Sequence, residues 1–211
     1  MGRAPLSWRR AVGLDRSGGP PPETRRGAPL RPFTLPNAIS FARLVAIPVF
    51  LAIALGSGDG RDPWAALLFV AIAWGDQLDG FVARATGQYS RLGALLDPLT
   101  DRALVLAGVV VCWHFELLPR WALAVLAARE LLMLVLTQVG MRAGMDLRVN
   151  MVGRWAVWPV MLAILLALIS DTWVAEVSLY LGLALTLWAS ALYVADGVRF
   201  LQARNPPSSS T

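Results

Sequence analysis

The residues that decide the fold are 74–102, which read WGDQLDGFVARATGQYSRLGALLDPLTDR. This stretch holds four aspartates, two on each side of a short polar link, and long apolar runs precede and follow it. The four aspartates are Asp76, Asp79, Asp97 and Asp101. The pattern predicts two consecutive apolar helices whose acidic ends meet at one face of an apolar layer.

The spacing of the four aspartates makes them one set. Asp76 and Asp79 are three residues apart and Asp97 and Asp101 are four apart, so each pair shares one helix face. Because a short link joins the helices, they pack antiparallel and the two faces can meet. Four neighbouring carboxylates repel one another and are costly at membrane depth, and divalent cations among them offset that cost. Oxygen ligands suit Mg²⁺ or Mn²⁺, so the sequence predicts a carboxylate metal site.

The composition indicates a membrane protein. The chain has 211 residues, of which 56% are hydrophobic and 16% charged, whereas a soluble domain carries about 25% charged residues. Six apolar segments have lengths near the roughly 20 residues that a helix needs to cross a bilayer. They cover 38–56, 64–84, 92–114, 119–140, 150–170 and 175–200. We therefore expect an all-α integral membrane protein, a bundle of six transmembrane helices.

The distribution of arginine predicts the orientation of this bundle. With the N-terminus inside, only Arg61 and Arg120 of the 19 basic residues fall in outside loops, as the positive-inside rule requires. Both termini and the polar metal site then face the cytoplasm. Four tryptophans fall at the outside helix ends, where an aromatic belt is expected. They are Trp64, Trp113, Trp121 and Trp173.

The ends of the chain differ in composition from its middle. Residues 1–32 are rich in arginine, proline and glycine and predict a disordered basic arm. Residues 33–203 form the predicted membrane domain, and 204–211 a disordered tail. An arginine-rich arm beside a bilayer favours membrane lipids, with their anionic headgroups, over nucleic acid as its partner.

The pattern Asp76-x2-Asp79-Gly80-x2-Ala83-Arg84-x8-Gly93-x3-Asp97-x3-Asp101 resembles the signature of the CDP-alcohol phosphatidyltransferases at all eight specified positions. The resemblance implies an enzyme of phospholipid biosynthesis. Such an enzyme transfers a phosphatidyl group from CDP-diacylglycerol to an alcohol acceptor and releases CMP. The resemblance also implies a bacterial plasma-membrane location and a homodimer.

The same resemblance implies roles for single residues. The four aspartates would hold two Mg²⁺ or Mn²⁺ ions, and Asp101 would also be the general base on the acceptor hydroxyl. Other positions match residues that contact the CDP-lipid donor. They are Asn37, Gly80, Arg84, Ser90 and Gly93.

The acceptor is less sharply defined. Arg129, with its neighbour Glu130, is similar to an element of phosphatidylglycerophosphate synthases, and Arg129 and Arg154 are the candidate acceptor-binding residues. Those synthases have a denser basic cluster where this chain has Arg154 alone. Residues 90–98 are instead similar to bacterial cardiolipin synthases. Glycerol 3-phosphate and phosphatidylglycerol both stay open, and Pro98 argues against relatives that use inositol phosphate, which tend to have serine there.

Two hypotheses from other classes compete with the enzyme. A membrane metal-ion transporter also needs intramembrane carboxylates, but its acidic sites would lie near mid-membrane with a route to both faces. The aspartates of this chain cluster at one face. A membrane scaffold without activity would be expected to have lost carboxylates first, whereas all eight signature positions are intact.

Overall fold

The computed structural model describes residues 34–86, 91–142 and 151–204. These ranges form six α-helices and contain no strand. The helices are α1 (Leu35–Gly56), α2 (Pro63–Thr86), α3 (Arg91–His114), α4 (Arg120–Arg142), α5 (Met151–Ile169) and α6 (Trp173–Arg204). Each predicted apolar segment falls on one helix, which confirms the all-α class. The predicted arm and all but the first residue of the predicted tail lie outside the described ranges.

The apolar surfaces of the helices fit a lipid environment. Leu35–Gly56 and Trp173–Ala195 are long and apolar enough to cross a bilayer, and the crossing of the other four helices stays a prediction. Large apolar side chains are exposed on all six helices, a surface that lipid tails tolerate and water does not. The four tryptophans predicted for the aromatic belt lie within two residues of helix ends and are 42–76% exposed.

The first of two compact units holds α1, α2 and the part of α3 up to Ala107. Here α1 packs against α2, and the rings of Phe50 and Phe69 meet with centroids 5.5 Å apart. Within a bilayer such contacts stabilise the unit through close van der Waals packing, since lipid tails are as apolar as the side chains.

The buried face of α1 changes character along its length. Its C-terminal half is apolar and includes Phe50, whereas its N-terminal half buries Asn37, Ser40 and Arg43 at intervals of three residues. The helix begins at this polar end, where the Thr34 hydroxyl accepts a hydrogen bond from the Asn37 N–H at 3.4 Å. A polar stripe inside an apolar helix needs partners on the neighbouring helices, and this stripe positions the site.

The second unit holds α3 from Gly108 together with α4, α5 and α6. In it α6 packs against both α5 and α4. Trp121 of α4 stacks on Tyr180 of α6 with ring centroids 5.5 Å apart. Gly182 lets α6 approach α5 closely, because a Cβ at this position would lie 2.6 Å from Val160 Cγ2 and 2.8 Å from Val160 N.

We expect Gly182→Ala to lower the free energy of unfolding by about 1–3 kcal/mol, because the added methyl group overpacks the contact with Val160. Thermal unfolding in detergent measures the change. The matched control is Gly56→Ala, since a Cβ there meets nothing within 4 Å. Equal stability of the two variants would contradict this description of the α5–α6 contact.

Candidate functional site

The predicted aspartates lie on two helices, Asp76 and Asp79 on α2 and Asp97 and Asp101 on α3. The structure describes the side chains of the α3 pair. Six predicted site residues have surroundings that lie outside the described part of the structure. They are Asp76, Asp79, Gly80, Arg84, Ser90 and Arg154. The two aspartates whose side chains are described therefore both lie on α3, and α1 is the helix that contacts them.

Asp97 is held by a serine of α1. The Ser40 hydroxyl lies 3.0 Å from Asp97 Oδ1 and 3.2 Å from the carbonyl oxygen of Pro36 one turn earlier. A hydroxyl has one proton, and a charged carboxylate accepts it more strongly than a carbonyl does. The contact therefore fixes the orientation of the Asp97 carboxylate.

Asp101 is held by an arginine of α1. Arg43 Nη2 lies 2.6 Å from Asp101 Oδ1, and the exposed fractions of the two side chains are 4% and 39%. Arg43 Nε donates a second hydrogen bond, at 2.8 Å, to the carbonyl oxygen of Ile72 on α2. The arginine is thus enclosed by protein, while the carboxylate that it holds is partly open to solvent.

Ser40 and Arg43 make two similar contacts between α1 and α3. They are three residues apart on α1 and reach Asp97 and Asp101, which are four apart on α3. Sequence reasoning missed both α1 residues, since Asn37 was the one site residue that it predicted on this helix. The available signal was the three-residue spacing of Asn37, Ser40 and Arg43 within an otherwise apolar helix.

Two of the residues predicted to contact the CDP-lipid donor lie in the described part of the structure, and both are buried. Asn37 has no exposed surface and lies one turn before Ser40 on the same face of α1. Gly93 is buried on α3, one turn before Asp97. Both therefore lie one turn from the Ser40–Asp97 contact. Their role as donor contacts stays a prediction.

Arg129, a predicted acceptor residue, lies in the second unit with its charge already paired. Its guanidinium forms an ion pair with the adjacent Glu130, and the exposed fractions of the two side chains are 9% and 6%. Arg129 Nε also donates to Ser190 Oγ on α6 at 2.8 Å, and Ser190 donates to the carbonyl oxygen of Thr186 at 2.8 Å. The buried pair is neutral as a whole, as burial within an apolar helix favours.

The described carboxylates are suitable ligands for a hard divalent cation. Asp97 and Asp101 present oxygen donors one helical turn apart, and α1 fixes both of them, so their chemistry fits Mg²⁺ or Mn²⁺. Among the side chains that the structure describes, no three acidic, histidine or cysteine groups are close enough together to hold an ion. The predicted set also needs Asp76 and Asp79.

Known proteins resemble this chain over most of its length. The sequence profile of the CDP-alcohol phosphatidyltransferases matches residues 33–188. A cardiolipin synthase (CMP-forming) of Streptomyces coelicolor is 37% identical over 198 residues, 90% of this chain and 92% of the relative. A CDP-diacylglycerol–glycerol-3-phosphate 3-phosphatidyltransferase of Bacillus subtilis is 33% identical over 144 residues, 63% of this chain and 75% of the relative. One of Shigella flexneri is 30% identical over 176 residues, 77% and 94% of the two chains.

The family match and these relatives define a membrane-associated enzyme of lipid metabolism, and the apolar helices of the structure fit that class. The chain belongs to the CDP-alcohol phosphatidyltransferase family, as its signature predicted. It is a transferase of phospholipid biosynthesis that uses CDP-diacylglycerol and an alcohol acceptor. This family membership favours the enzyme over the transporter and scaffold hypotheses.

We expect Ser40→Ala to lower the transferase rate by about 10-fold, the lower end of the range for lost partners of metal-ligating groups. The removed hydroxyl orients Asp97 but makes no bond in the reaction. Ser57→Ala, which removes a hydroxyl that donates to the carbonyl oxygen of Ala54, three residues earlier, at 2.7 Å, is the matched control. Rates per folded protein, measured by CMP release, test the prediction. A wild-type rate in Ser40→Ala would contradict it.

Proposed function

We propose that this protein transfers the phosphatidyl group of CDP-diacylglycerol to phosphatidylglycerol, forming cardiolipin and CMP. The relative named cardiolipin synthase (CMP-forming) supports this acceptor, because its similarity extends over 90% of this chain. The alternative acceptor, glycerol 3-phosphate, is supported by the Bacillus subtilis relative, which aligns with 63% of it. The described side chains of the second unit favour the first acceptor.

The observation that carries this choice is the neutral Arg129–Glu130 pair. Glycerol 3-phosphate carries a phosphate monoester with a charge near −2 at neutral pH, whereas the phosphodiester of phosphatidylglycerol carries one negative charge. A buried arginine already neutralised by a carboxylate attracts a dianion weakly, because the pair has little net charge to offer. The second candidate residue, Arg154, stands alone where phosphatidylglycerophosphate synthases have several basic residues. Both features favour the acceptor with the smaller charge.

The proposed reaction is an in-line displacement at phosphorus. The acceptor hydroxyl oxygen forms a bond to the phosphorus on the lipid side of the pyrophosphate, and the bond from that phosphorus to the bridging oxygen of CMP breaks. Asp101 takes the hydroxyl proton. Its role depends mainly on position, because a carboxylate is a weak base for an alcohol. Its contact with Arg43 supplies that position.

We further propose that Asp76, Asp79, Asp97 and Asp101 hold two Mg²⁺ or Mn²⁺ ions. Bound there, the ions would neutralise the pyrophosphate and align the attacking and leaving oxygens. The predicted donor contacts would hold the CDP-lipid beside them. They are Asn37, Gly80, Arg84, Ser90 and Gly93.

The proposed location is the bacterial plasma membrane, with both termini in the cytoplasm and the chain as a homodimer. The arginine distribution supports the orientation. A donor that enters sideways from the inner leaflet keeps its acyl chains in the bilayer while its CDP headgroup reaches the aspartates.

Purified protein with CDP-diacylglycerol and Mg²⁺ or Mn²⁺ tests the proposal. Phosphatidylglycerol, glycerol 3-phosphate and inositol phosphate are offered as acceptors in separate reactions, and CMP is measured. We expect CMP release with phosphatidylglycerol, and its loss on chelation. Release with glycerol 3-phosphate alone would overturn the acceptor. Full activity in chelator would overturn the metal site.

We expect Asp101→Asn to lower turnover by about 10²–10⁴-fold, the usual contribution of a general base. The amide is isosteric and can still accept the hydrogen bond from Arg43, so the variant should fold. The control is Asp171→Asn, because the Asp171 side chain is 93% exposed and its carboxylate makes a long contact of 3.9 Å with Arg61. A wild-type rate in Asp101→Asn would remove Asp101 from the reaction.

A further inference from the structure

Arg43 forms a hydrogen bond to the backbone of α2 one turn before Asp76, the first aspartate of the signature. Its Nε bonds to the Ile72 carbonyl oxygen at 2.8 Å, and in an α-helix this oxygen also accepts the N–H four residues later, which belongs to Asp76. A carbonyl oxygen has two lone pairs and can accept both. One end of the guanidinium is thus fixed to the helical turn that leads into Asp76.

The other end of the guanidinium is fixed to α3. Arg43 Nη2 lies 2.6 Å from Asp101 Oδ1, so a single planar group joins the turn before Asp76 to the last aspartate of the signature. The guanidinium is rigid and its N–H groups point in fixed directions. The distance between the two attachment points is therefore set by a group that does not bend.

Gly75 makes room for this arrangement. A Cβ at position 75 would lie 2.6 Å from Arg43 Cδ, 2.9 Å from Cγ and 3.0 Å from Nε. These atoms lie in the middle of a side chain that is anchored at its far end and only 4% exposed, so they cannot yield without moving the guanidinium. The glycine directly before Asp76 therefore has a steric function.

We propose that Arg43 is a positioning residue for the transfer reaction, and that Gly75 is the small residue that admits it. Arg43 sets the place of the Asp101 carboxylate relative to the Asp76 turn and makes no contact with the reacting atoms. This role rests on the proposed function, in which Asp101 takes the acceptor proton. The charge of Arg43 is insufficient for it, because the two attachment points need two N–H groups in a fixed geometry.

Lysine distinguishes position from charge. Arg43→Lys keeps the positive charge but has a single ammonium group, which can reach Asp101 or the Ile72 carbonyl oxygen and does not reproduce the planar bridge. We expect kcat to fall by about 100-fold in Arg43→Lys, as for a misplacement of about 1 Å. Arg43→Gln and Gly75→Ala should lose kcat to a similar degree. KM for CDP-diacylglycerol should stay near the wild-type value in all three.

Two substitutions control for lost charge and for an added methyl group. Arg120→Gln removes an arginine whose partner Glu116 lies 3.0 Å away on the exposed surface, and Gly56→Ala adds a Cβ in open space. Both should keep the wild-type kcat. All rates are taken per folded protein from size-exclusion profiles, so that a loss of folding is not counted as a loss of turnover.

The kinetic outcomes separate the possible roles of Arg43. A wild-type kcat in Arg43→Lys would show that charge is sufficient and would overturn the proposal. A rise in donor KM with kcat unchanged would make Arg43 a substrate-binding residue and overturn it as well. A normal kcat in a reduced folded fraction would leave a structural role only. An inactive wild-type protein with every acceptor would instead contradict the proposed function.

A double-mutant cycle tests the contact between Arg43 and Asp101 by thermal stability, with no activity assay. Arg43→Gln leaves the Asp101 carboxylate without its ion pair to Arg43, and Asp101→Asn then removes the charge itself. We therefore expect the double variant to melt at a higher temperature than Arg43→Gln alone. The Glu116–Arg120 pair, with side chains 69% and 52% exposed, should give nearly additive shifts. Additive shifts for Arg43 and Asp101 would overturn the bridge.

Discussion

A buried guanidinium between two helices that carry carboxylates is the interaction on which the first unit depends. Arg43 is 4% exposed, and an arginine at this depth in an apolar helix is tolerated only where its charge and its N–H groups are satisfied. Asp101 and the Ile72 carbonyl oxygen satisfy them. The polar half of α1 and the glycine before Asp76 follow from the same requirement.

Each unit contains an arginine paired with an acidic residue inside apolar helices, but the two pairs differ in exposure. Asp101 keeps 39% of its side chain exposed while Arg43 holds one of its oxygens. The Glu130 side chain is 6% exposed beside its own arginine. The first pair leaves an oriented carboxylate partly exposed, which the proposed function uses as the base, and the second neutralises charge within the protein. This difference underlies both the base assigned to Asp101 and the preference for an acceptor of low charge.

Sequence reasoning recovered what depends on local pattern. The positions of the six helices follow from apolar runs of the right length. The placement of the aspartates in pairs on α2 and α3 follows from their helical spacing within residues 76–101. The contacts that orient the aspartates are 57 and 58 residues apart in the chain, so no local period could pair Ser40 with Asp97 or Arg43 with Asp101. The pairing of Arg129 with its neighbour depends on side-chain burial, which the sequence does not supply. The spatial meeting of all four aspartates stays a prediction.

The central claim is that phosphatidylglycerol is the acceptor, and the most direct measurement is the composition of the lipid product. Donor and acceptor with different acyl chains are incubated with the protein, and product masses and released CMP are counted. The account predicts cardiolipin that carries both acyl chains of the donor and both of the acceptor, with one CMP per molecule formed. A product carrying only the donor chains, formed only when glycerol 3-phosphate is added, would contradict it.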